Sequence, residues 1–333
     1  MKTTESSAST SSPKVPGTAL APLRNIPDDL ALFPPGTTVH EDKLRCGITM
    51  RWYERGPKDA PTAILLHGYP EIGASWKHQV RALSDRYRVV APDMRGCGAS
   101  EGPFWFWHYT LGRLATDTID LMEVLGVKKV HLVGHDWGAA VAWESAARFP
   151  ESFTSLSIIN CPPLPFLYRN THLQAVRSSY SLRFMVPFWW NEHCKRNAYK
   201  ILEGTFHVDE EHKRMFTPEV IQHYAAHGTR AGVPHMNYYR AGILLPPLRL
   251  RRVEVPTRLI WGLSDPWMNP FFGQPENYLH FVSAIEAVHL DGISHFAQQQ
   301  SPDAVSEAMR EHWQQTEAGK PVQHGKVVRV VKR

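Results

Sequence analysis

The sequence predicts an α/β fold, in which a mostly parallel β-sheet is flanked by helices. Two observations carry this prediction. Short runs of apolar and β-branched residues alternate with longer segments of helical pattern. Most of these runs contain no polar residue, as is expected of strands that helices cover on both faces. With 333 residues, of which 43% are hydrophobic and 21% charged, the chain can form one large core and an inserted subdomain.

The clearest strands and one helix can be placed directly on the sequence. The strands are predicted at residues 63–66, 88–91, 130–133, 155–159, 258–261 and 285–289. Between the second and third of them, a helix is predicted to begin after Thr110 as its N-cap and to continue to Leu125. Gly126 is predicted to end this helix.

The strand pattern stops at about Pro162 and resumes at Thr257. Between these points, aromatic and helical segments are interrupted by prolines. We therefore predict a helical cap at residues 162–247 within a core of residues 23–161 and 248–318. The cap is inserted after the strand at 155–159, which is counted as the sixth strand of the whole sheet because two less distinct strands are expected before residue 63. The cap should lie over the carboxyl edge of the sheet, where open α/β sheets bind their ligands.

The two ends of the chain differ from the core in composition. Residues 1–22 are rich in Ser, Thr and Pro and have no apolar signal region, which predicts a disordered tail. Residues 319–333 hold part of the net charge of +5 and are predicted to form a basic tail. We find no nucleic-acid module and no apolar run of the roughly 18 residues that a membrane span needs. Four scattered cysteines favour reduced thiols, and the expected location is cytoplasmic.

The run Gly134-His135-Asp136-Trp137-Gly138 follows a predicted strand and precedes a segment rich in alanine. This order is typical of a nucleophile elbow, a sharp turn that exposes its central residue. Small residues are needed two positions before and after the nucleophile, and both positions are glycine. The central residue is Asp136, whose carboxylate is ionised at neutral pH. It can attack an electrophilic sp³ carbon and form an alkyl ester.

Three further segments supply partners for Asp136. The first is His67-Gly68-Tyr69-Pro70, in which the backbone N–H of Tyr69 is predicted to form an oxyanion hole with the N–H of Trp137. Asp265 and His295 each follow a later strand. The order nucleophile, acid, histidine predicts a catalytic triad in which His295 activates water and Asp265 orients the histidine.

Taken together, these motifs resemble those of the epoxide hydrolases of the α/β-hydrolase superfamily. The resemblance covers roughly residues 23–313 and includes the run DMRGCGAS at 93–100 as well as the segments around the elbow and the triad. An aspartate at the elbow narrows the resemblance to the branch of epoxide hydrolases and haloalkane dehalogenases. It implies the α/β-hydrolase fold, an apolar epoxide and water as reactants, a role in detoxification, and no metal or other cofactor.

The same resemblance implies that two cap tyrosines hold and protonate the epoxide oxygen. The run MNYYR at 236–240 is similar to one family segment and indicates Tyr239; the run SYSLRF at 179–184 is similar to the other and indicates Tyr180. A phenol has a pKa of about 10, which suits a donor to a strongly basic alkoxide. Other candidates for the second donor are Tyr168, Tyr199 and Tyr224.

The predicted reaction has two steps. Asp136 attacks an epoxide carbon, and water activated by His295 then hydrolyses the ester to give a vicinal diol. Trp137 and Phe296 are predicted to line the substrate site. Trp137 also matches the halide-binding Trp of haloalkane dehalogenases, which makes that activity the alternative, although Tyr69 stands where those enzymes often have Asn. A non-catalytic ligand-binding relative is a third possibility. A serine esterase is disfavoured because the elbow has no Ser, and the sequence leaves open whether the protein is a homodimer.

Two other groups of residues have no predicted catalytic role. His223, His227 and His235 lack the surrounding ligands of a metal site, and they are expected to be surface histidines. The cluster Phe104-Trp105-Phe106-Trp107 is expected either to pack under the cap or to line a substrate tunnel, and the sequence does not decide between these.

Overall fold

The computed structural model describes residues 29–206 and 215–332, and within these ranges nine strands form one sheet. Their order across the sheet is β1-β2-β4-β3-β5-β6-β7-β8-β9. The β1–β2 and β2–β4 pairs are antiparallel, and the other pairs are parallel. The strands are β1 (Thr38–Lys43), β2 (Thr49–Arg55), β3 (Thr62–Leu66), β4 (Arg88–Pro92), β5 (Val130–His135), β6 (Phe153–Ile159), β7 (Thr257–Gly262), β8 (Ile285–Leu290) and β9 (Lys326–Val331).

All six strands predicted from the sequence are confirmed, as β3 to β8. Every residue of β3, β5, β7 and β8 is buried. The antiparallel strand β1 is mostly exposed and has the sequence TVHEDK, so it lacks the apolar run that revealed the others. Charged residues of this kind are common on edge strands, where they oppose aggregation.

Nine α-helices surround the sheet within the described residues. They are α1 (Lys77–Leu83), α2 (Leu111–Leu125), α3 (Trp137–Arg148), α4 (Leu164–Arg169), α5 (Thr171–Ser178), α6 (Pro187–Phe206), α7 (Pro218–Leu244), α8 (Ala297–Gln300) and α9 (Pro302–Glu317). Helices α2 and α3 pack on one face of the sheet, and α1 and α9 pack on the other. The predicted helix is confirmed as α2, which ends at Gly126 with a φ of 70°. Thr110 occupies the N-cap position of this helix as predicted, although its side chain makes no capping hydrogen bond.

The structure describes the C-terminal one of the two predicted tails. Residues 1–22 lie outside the described ranges. The C-terminal run that we expected to belong to a basic tail instead forms β9, which pairs in parallel with β8. The prediction was wrong for residues 326–331, because four valines alternate with the basic residues of this run. Those valines give the run a high β-propensity and make it suitable for an edge strand.

The helical insertion consists of the chain between β6 and β7, where the described residues form helices α4 to α7. Helix α6 is kinked at Asn197, and it packs against the long helix α7. The strand pattern therefore breaks where the sequence predicted, directly after the sixth strand. Together with the parallel sheet and its flanking helices, this confirms the predicted fold class.

An ion pair connects the insertion to the first turn of the core. His227 on α7 lies with its Nε2 atom 2.5 Å from Asp29 Oδ2, and His223 Nδ1 lies 3.1 Å from Asp29 Oδ1. His227 and Asp29 are each only 1% exposed. The expectation of surface histidines was wrong, because this side of α7 faces the core; His235 on the same helix is also buried.

We expect Asp29→Asn to lower the free energy of unfolding by about 1–3 kcal/mol, because it removes one charge of a buried pair. Burial acts to lower the pKa of His227, but the hydrogen bond and charge of Asp29 and the charge of Asp93 raise it overall. A raised histidine pKa stabilises the fold below the unfolded value of about 6.5, and this stabilisation is lost as pH rises through the folded value. Urea unfolding should therefore show a larger deficit at pH 6 than at pH 8.

Asp59→Asn is the matched control, since Asp59 is exposed and makes no ion pair with a described residue. Its stability should equal that of the unaltered protein at both pH values. A deficit for Asp29→Asn that is larger at pH 8 would contradict the assigned ion pair.

Candidate active site

The turn between β5 and α3 holds Asp136 in an unusual backbone conformation, with φ 50° and ψ −118°. Non-glycine residues rarely have a positive φ, and such strain is concentrated at functional sites. The flanking glycines are needed because there is no space for a side chain. A Cβ atom on Gly134 would lie 2.4 Å from Gly138 O, and one on Gly138 would lie 2.2 Å from Leu66 O. The predicted elbow is therefore present in the structure.

The segment after β3 reaches the same carboxylate. The backbone N–H of Tyr69 donates a hydrogen bond to Asp136 Oδ1 at 2.8 Å. Gly68 permits this approach, because a Cβ atom there would lie 2.6 Å from Asp136 Cβ. Among the described residues, the N–H of Trp137 makes no hydrogen bond to the carboxylate of Asp136. The second half of the oxyanion hole therefore stays a prediction.

Asp136, His295 and Asp265 meet at the carboxyl edge of the sheet. His295 Nε2 lies 3.5 Å from Asp136 Oδ2, and His295 Nδ1 donates to Asp265 Oδ2 at 2.6 Å. Each of the three residues is at most 7% exposed. The histidine thus has one nitrogen directed at the elbow carboxylate and the other at a second carboxylate, which is the arrangement that a triad requires.

Asp265 is held by hydrogen bonds on both of its oxygens. The backbone N–H groups of Trp267 and Met268 donate to Oδ1 at 2.7 and 2.9 Å. Asn160 Nδ2 donates to Oδ2 at 2.7 Å. Sequence reasoning missed Asn160, although it directly follows β6 and so lies at the same sheet edge. Its φ of 48° turns the chain toward Asp265 as the insertion begins.

The protonation states of Asp136 and His295 depend on each other. Burial acts to raise the pKa of Asp136, but the hydrogen bond and charge of His295, the charge of His135 and the Tyr69 N–H together lower it. Burial acts to lower the pKa of His295, but Asp265 and Asp136 raise it to about 10. Both shifts favour an imidazolium between two carboxylates in the resting site.

Tyr180 and Tyr239 lie opposite the elbow. Their hydroxyl oxygens are 3.3 Å apart, and both residues line a cavity with Asp136 and His295. Burial raises the pKa of each phenol well above its usual range, so both hydroxyls stay protonated at neutral pH. Of the other candidates, Tyr168 donates its hydroxyl proton to Gly242 O, and Tyr224 lines a different cavity.

Two cavities meet at Asp136, Tyr180 and Tyr239. The larger has a volume of about 570 Å³ and includes Phe296 in its lining. The smaller has a volume of about 100 Å³ and is lined mainly by apolar side chains, among them Trp137. The two predicted lining residues therefore lie in different cavities. A molecule held between Asp136 and the tyrosines can extend into both.

A second carboxylate–histidine pair lies behind the triad and was not expected from the sequence. Glu71 Oε2 lies 2.8 Å from His135 Nδ1, and His135 Nε2 lies 2.9 Å from the backbone oxygen of His295. Gln298 and Gln299 donate to the same buried glutamate at 2.9 and 2.5 Å. This network connects the elbow to the loop of His295, so it holds the histidine backbone relative to Asp136.

The aromatic cluster at 104–107 lies at the side of the site. Asn237 Nδ2 on α7 donates to Phe104 O at 2.8 Å, while Trp105 and Trp107 stack with their ring centroids 4.8 Å apart. Both tryptophans are exposed, and none of the four residues lines either cavity at Asp136. The cluster packs against the insertion and does not line a tunnel in this structure.

Three further observations concern metal ligands, cysteines and membrane-spanning helices. In the part of the chain that the structure covers, no group of three or more His, Cys, Asp or Glu side chains is arranged to hold a metal ion. The four cysteines are free. The described helices include none with the length and hydrophobicity that a membrane span requires.

Comparisons connect the chain to known proteins. Residues 61–191 match the family model described as the alpha/beta hydrolase fold. Epoxide hydrolase 4 of Homo sapiens is 33% identical over 274 residues, which cover 78% of this chain and 74% of that protein. Epoxide Hydrolase A of Mycobacterium thermoresistibile has a TM-score of 0.72 at 28% identity, covering 83% of this chain and 98% of its own. An epoxide hydrolase of Vigna radiata has a TM-score of 0.73 at 26% identity, and the match covers 84% of this chain and 99% of that one.

Proposed function

Since the chain belongs to the epoxide hydrolase family of the α/β-hydrolase superfamily, we propose that it converts an epoxide into a vicinal diol through an ester on Asp136. One observation carries the proposal. Two protonated tyrosine hydroxyls, 3.3 Å apart, line the same cavity as an ionised aspartate on a strained elbow. A nucleophile facing a pair of neutral proton donors suits the opening of a three-membered ether.

In the first step, Asp136 attacks one ring carbon and breaks its bond to oxygen. Tyr180 and Tyr239 hydrogen-bond this oxygen, and one of them transfers its proton to the alkoxide that forms. The products are an alkyl ester on Asp136 and a tyrosinate, which regains a proton during the cycle. Two donors suit this step because the alkoxide is more basic than a phenolate.

In the second step, His295 removes a proton from water, which attacks the carbonyl carbon of the Asp136 ester. The Tyr69 N–H, already 2.8 Å from Asp136 Oδ1, stabilises the oxyanion that develops. Collapse of the intermediate breaks the bond between the acyl carbon and the alkyl oxygen. The leaving alkoxide takes the proton that His295 removed from water, and the remaining proton of that water passes to the tyrosinate, which releases the diol and restores the carboxylate. Asp265 stabilises the imidazolium throughout.

Ester formation also prepares the base. In the resting site, His295 has a pKa raised to about 10, with Asp136 contributing through its charge and a hydrogen bond. When Asp136 becomes an ester its charge is lost, so these contributions disappear and the pKa of His295 falls. The histidine then becomes a base at the step that needs one.

Haloalkane dehalogenation is the second candidate, and Trp137 supports it. The indole of Trp137 lies against Tyr239, with ring centroids 5.0 Å apart, beside the cavity that contains Asp136. A dehalogenase would form the same ester but release a halide, which needs no proton donor. A non-catalytic ligand-binding relative is the third candidate, and the triad at hydrogen-bonding distances argues against it.

An assay of diol formation and halide release on matched epoxides and haloalkanes tests the proposal. Tyr239→Phe should lower kcat for epoxides by about 10- to 100-fold, because one of two donors to the alkoxide is lost. Tyr199→Phe is the control, since this tyrosine lies on the insertion and does not line either cavity at Asp136. Halide release without diol formation, tolerant of Tyr239→Phe, would identify a dehalogenase.

A further inference from the structure

We propose that the preferred substrate carries an anionic group, which Arg177, Arg183 and Lys200 bind in the outer part of the larger cavity. This inference rests on the proposed function and adds the class of epoxide. It modifies the expectation of a purely apolar substrate. Arg183 and Lys200 are exposed, whereas Asp136 is buried, so the cavity leads from the nucleophile to a cationic mouth.

The charge of this cavity is unbalanced. Besides His295, which pairs with Asp136, three Arg and Lys side chains line it, and Asp136 is the only carboxylate among the described residues that do so. None of the three cations forms an ion pair with a carboxylate that the structure describes, Glu203 on the same helix as Lys200 included. Asp136 itself pairs with His295 and accepts a hydrogen bond from the Tyr69 N–H. No carboxylate of the described residues therefore neutralises these cations, and an anion from outside the chain can bind them.

Arg177 is the most firmly positioned of the three. Its Nη1 atom donates to the backbone oxygens of Asp265 and Pro266 at 3.0 and 2.9 Å. These bonds hold the guanidinium beside the triad acid and leave its other N–H groups available. A planar guanidinium with fixed orientation suits a carboxylate, which it can bind through two parallel hydrogen bonds.

The smaller cavity suits an apolar group of the substrate. It shares Tyr180 and Tyr239 with the larger cavity and is lined by Leu164, Leu167 and Met268 as well as Trp137. A substrate that fits both cavities has an apolar group on one ring carbon and a chain with an anionic end on the other. A carboxylate, sulfate or phosphate would satisfy the same cations.

The test compares two series of epoxides that differ in one group. Each molecule has an apolar substituent on one ring carbon and a methylene chain of varied length on the other, which ends in a carboxylate or in a primary alcohol. We expect kcat/KM to favour the carboxylate by about five- to tenfold at the best chain length, as a few partly exposed charge pairs would give. The preference should fall as salt is added, because salt screens exposed charges.

The double variant Arg183→Gln/Lys200→Gln should reduce the ratio of kcat/KM for carboxylate over alcohol to about two, because Arg177 remains as the single cation of the site. Arg196→Gln is the matched control, because Arg196 is an exposed cation on the same helix as Lys200 and does not line the cavity. Its ratio should equal that of the unaltered protein.

The two proposals fail in different ways. If both series give diol at equal kcat/KM, or if Arg196→Gln reduces the ratio as much as the double variant does, the anion site is overturned while the proposed function stands. If neither series gives diol and a haloalkane series gives halide, the proposed function fails and the anion site falls with it.

Discussion

Replacing Asp136 with alanine should lower diol formation by at least about 10⁴-fold, because the chemistry of both steps passes through this carboxylate. Asp136 has a φ of 50°, which alanine adopts at some cost, so loss of activity alone could reflect a distorted elbow. Asp136→Asn is the second variant, since asparagine tolerates the left-handed region well. It keeps the shape of the side chain and removes its negative charge.

Isotope labelling separates a nucleophile from a merely electrostatic role. With enzyme in excess and water enriched in ¹⁸O, one turnover should place the label in the Asp136 carboxylate and leave the diol unlabelled. The peptide that contains Asp265 is the internal control and should stay unlabelled. Label in the diol after a single turnover, with none in Asp136, would show that water attacks the epoxide directly.

His295→Gln should stop the reaction after the first step. Its turnover should fall by about 10²- to 10⁴-fold, the range that a general base contributes. The ester on Asp136 should therefore accumulate, and the intact protein should gain the mass of one substrate molecule. Glutamine cannot serve as a base near neutral pH, although it can still donate a hydrogen bond to Asp136.

His172→Gln is the control, because His172 is an exposed histidine on α5. It should turn over normally and show no mass increase. A His295→Gln variant that loses diol formation without forming an adduct would contradict the assigned order of the two steps.

The pH dependence of the two steps should differ in the unaltered protein. Ester formation needs Asp136 ionised, and the pKa of this carboxyl is lowered, so its rate should stay constant between about pH 5 and 9. Ester hydrolysis needs neutral His295. The rate of ester hydrolysis should rise with pH until the pH exceeds the pKa of His295, which is lowered while Asp136 is an ester. Single-turnover measurements of each step would show the separation.

The sequence was sufficient to predict the parallel core, because its strands are nearly uninterrupted apolar runs at regular spacing. It also predicted which side chains meet at the sheet edge. Asp136, Asp265 and His295 each follow a parallel strand, and parallel strands bring their carboxyl ends to one edge. The roles of these residues stay predictions until the variants are measured.

The sequence could not predict features that depend on long-range packing. The burial of His227 depends on Asp29, which is 198 positions away along the chain. Asn160 and Glu71 act through their neighbours in space and belong to no short motif with a known mechanism. The edge strand β9 has a charged sequence that is also typical of a tail. The three cavity cations lie on different parts of the insertion, so their proximity appears only in three dimensions.

The position of the insertion has a consequence for protein engineering. The insertion leaves the core after β6 and returns at β7, and these strands are direct neighbours in the sheet. The proposed nucleophile, histidine and acid all belong to the core, whereas the proposed tyrosine donors and the cavity cations Arg177, Arg183 and Lys200 belong to the insertion. Exchanging the segment between β6 and β7 with that of a relative would therefore replace the substrate-recognising half and retain the ester-forming half, apart from Asn160 at the first junction. Such chimaeras offer a way to diversify selectivity without redesigning the hydrolytic machinery.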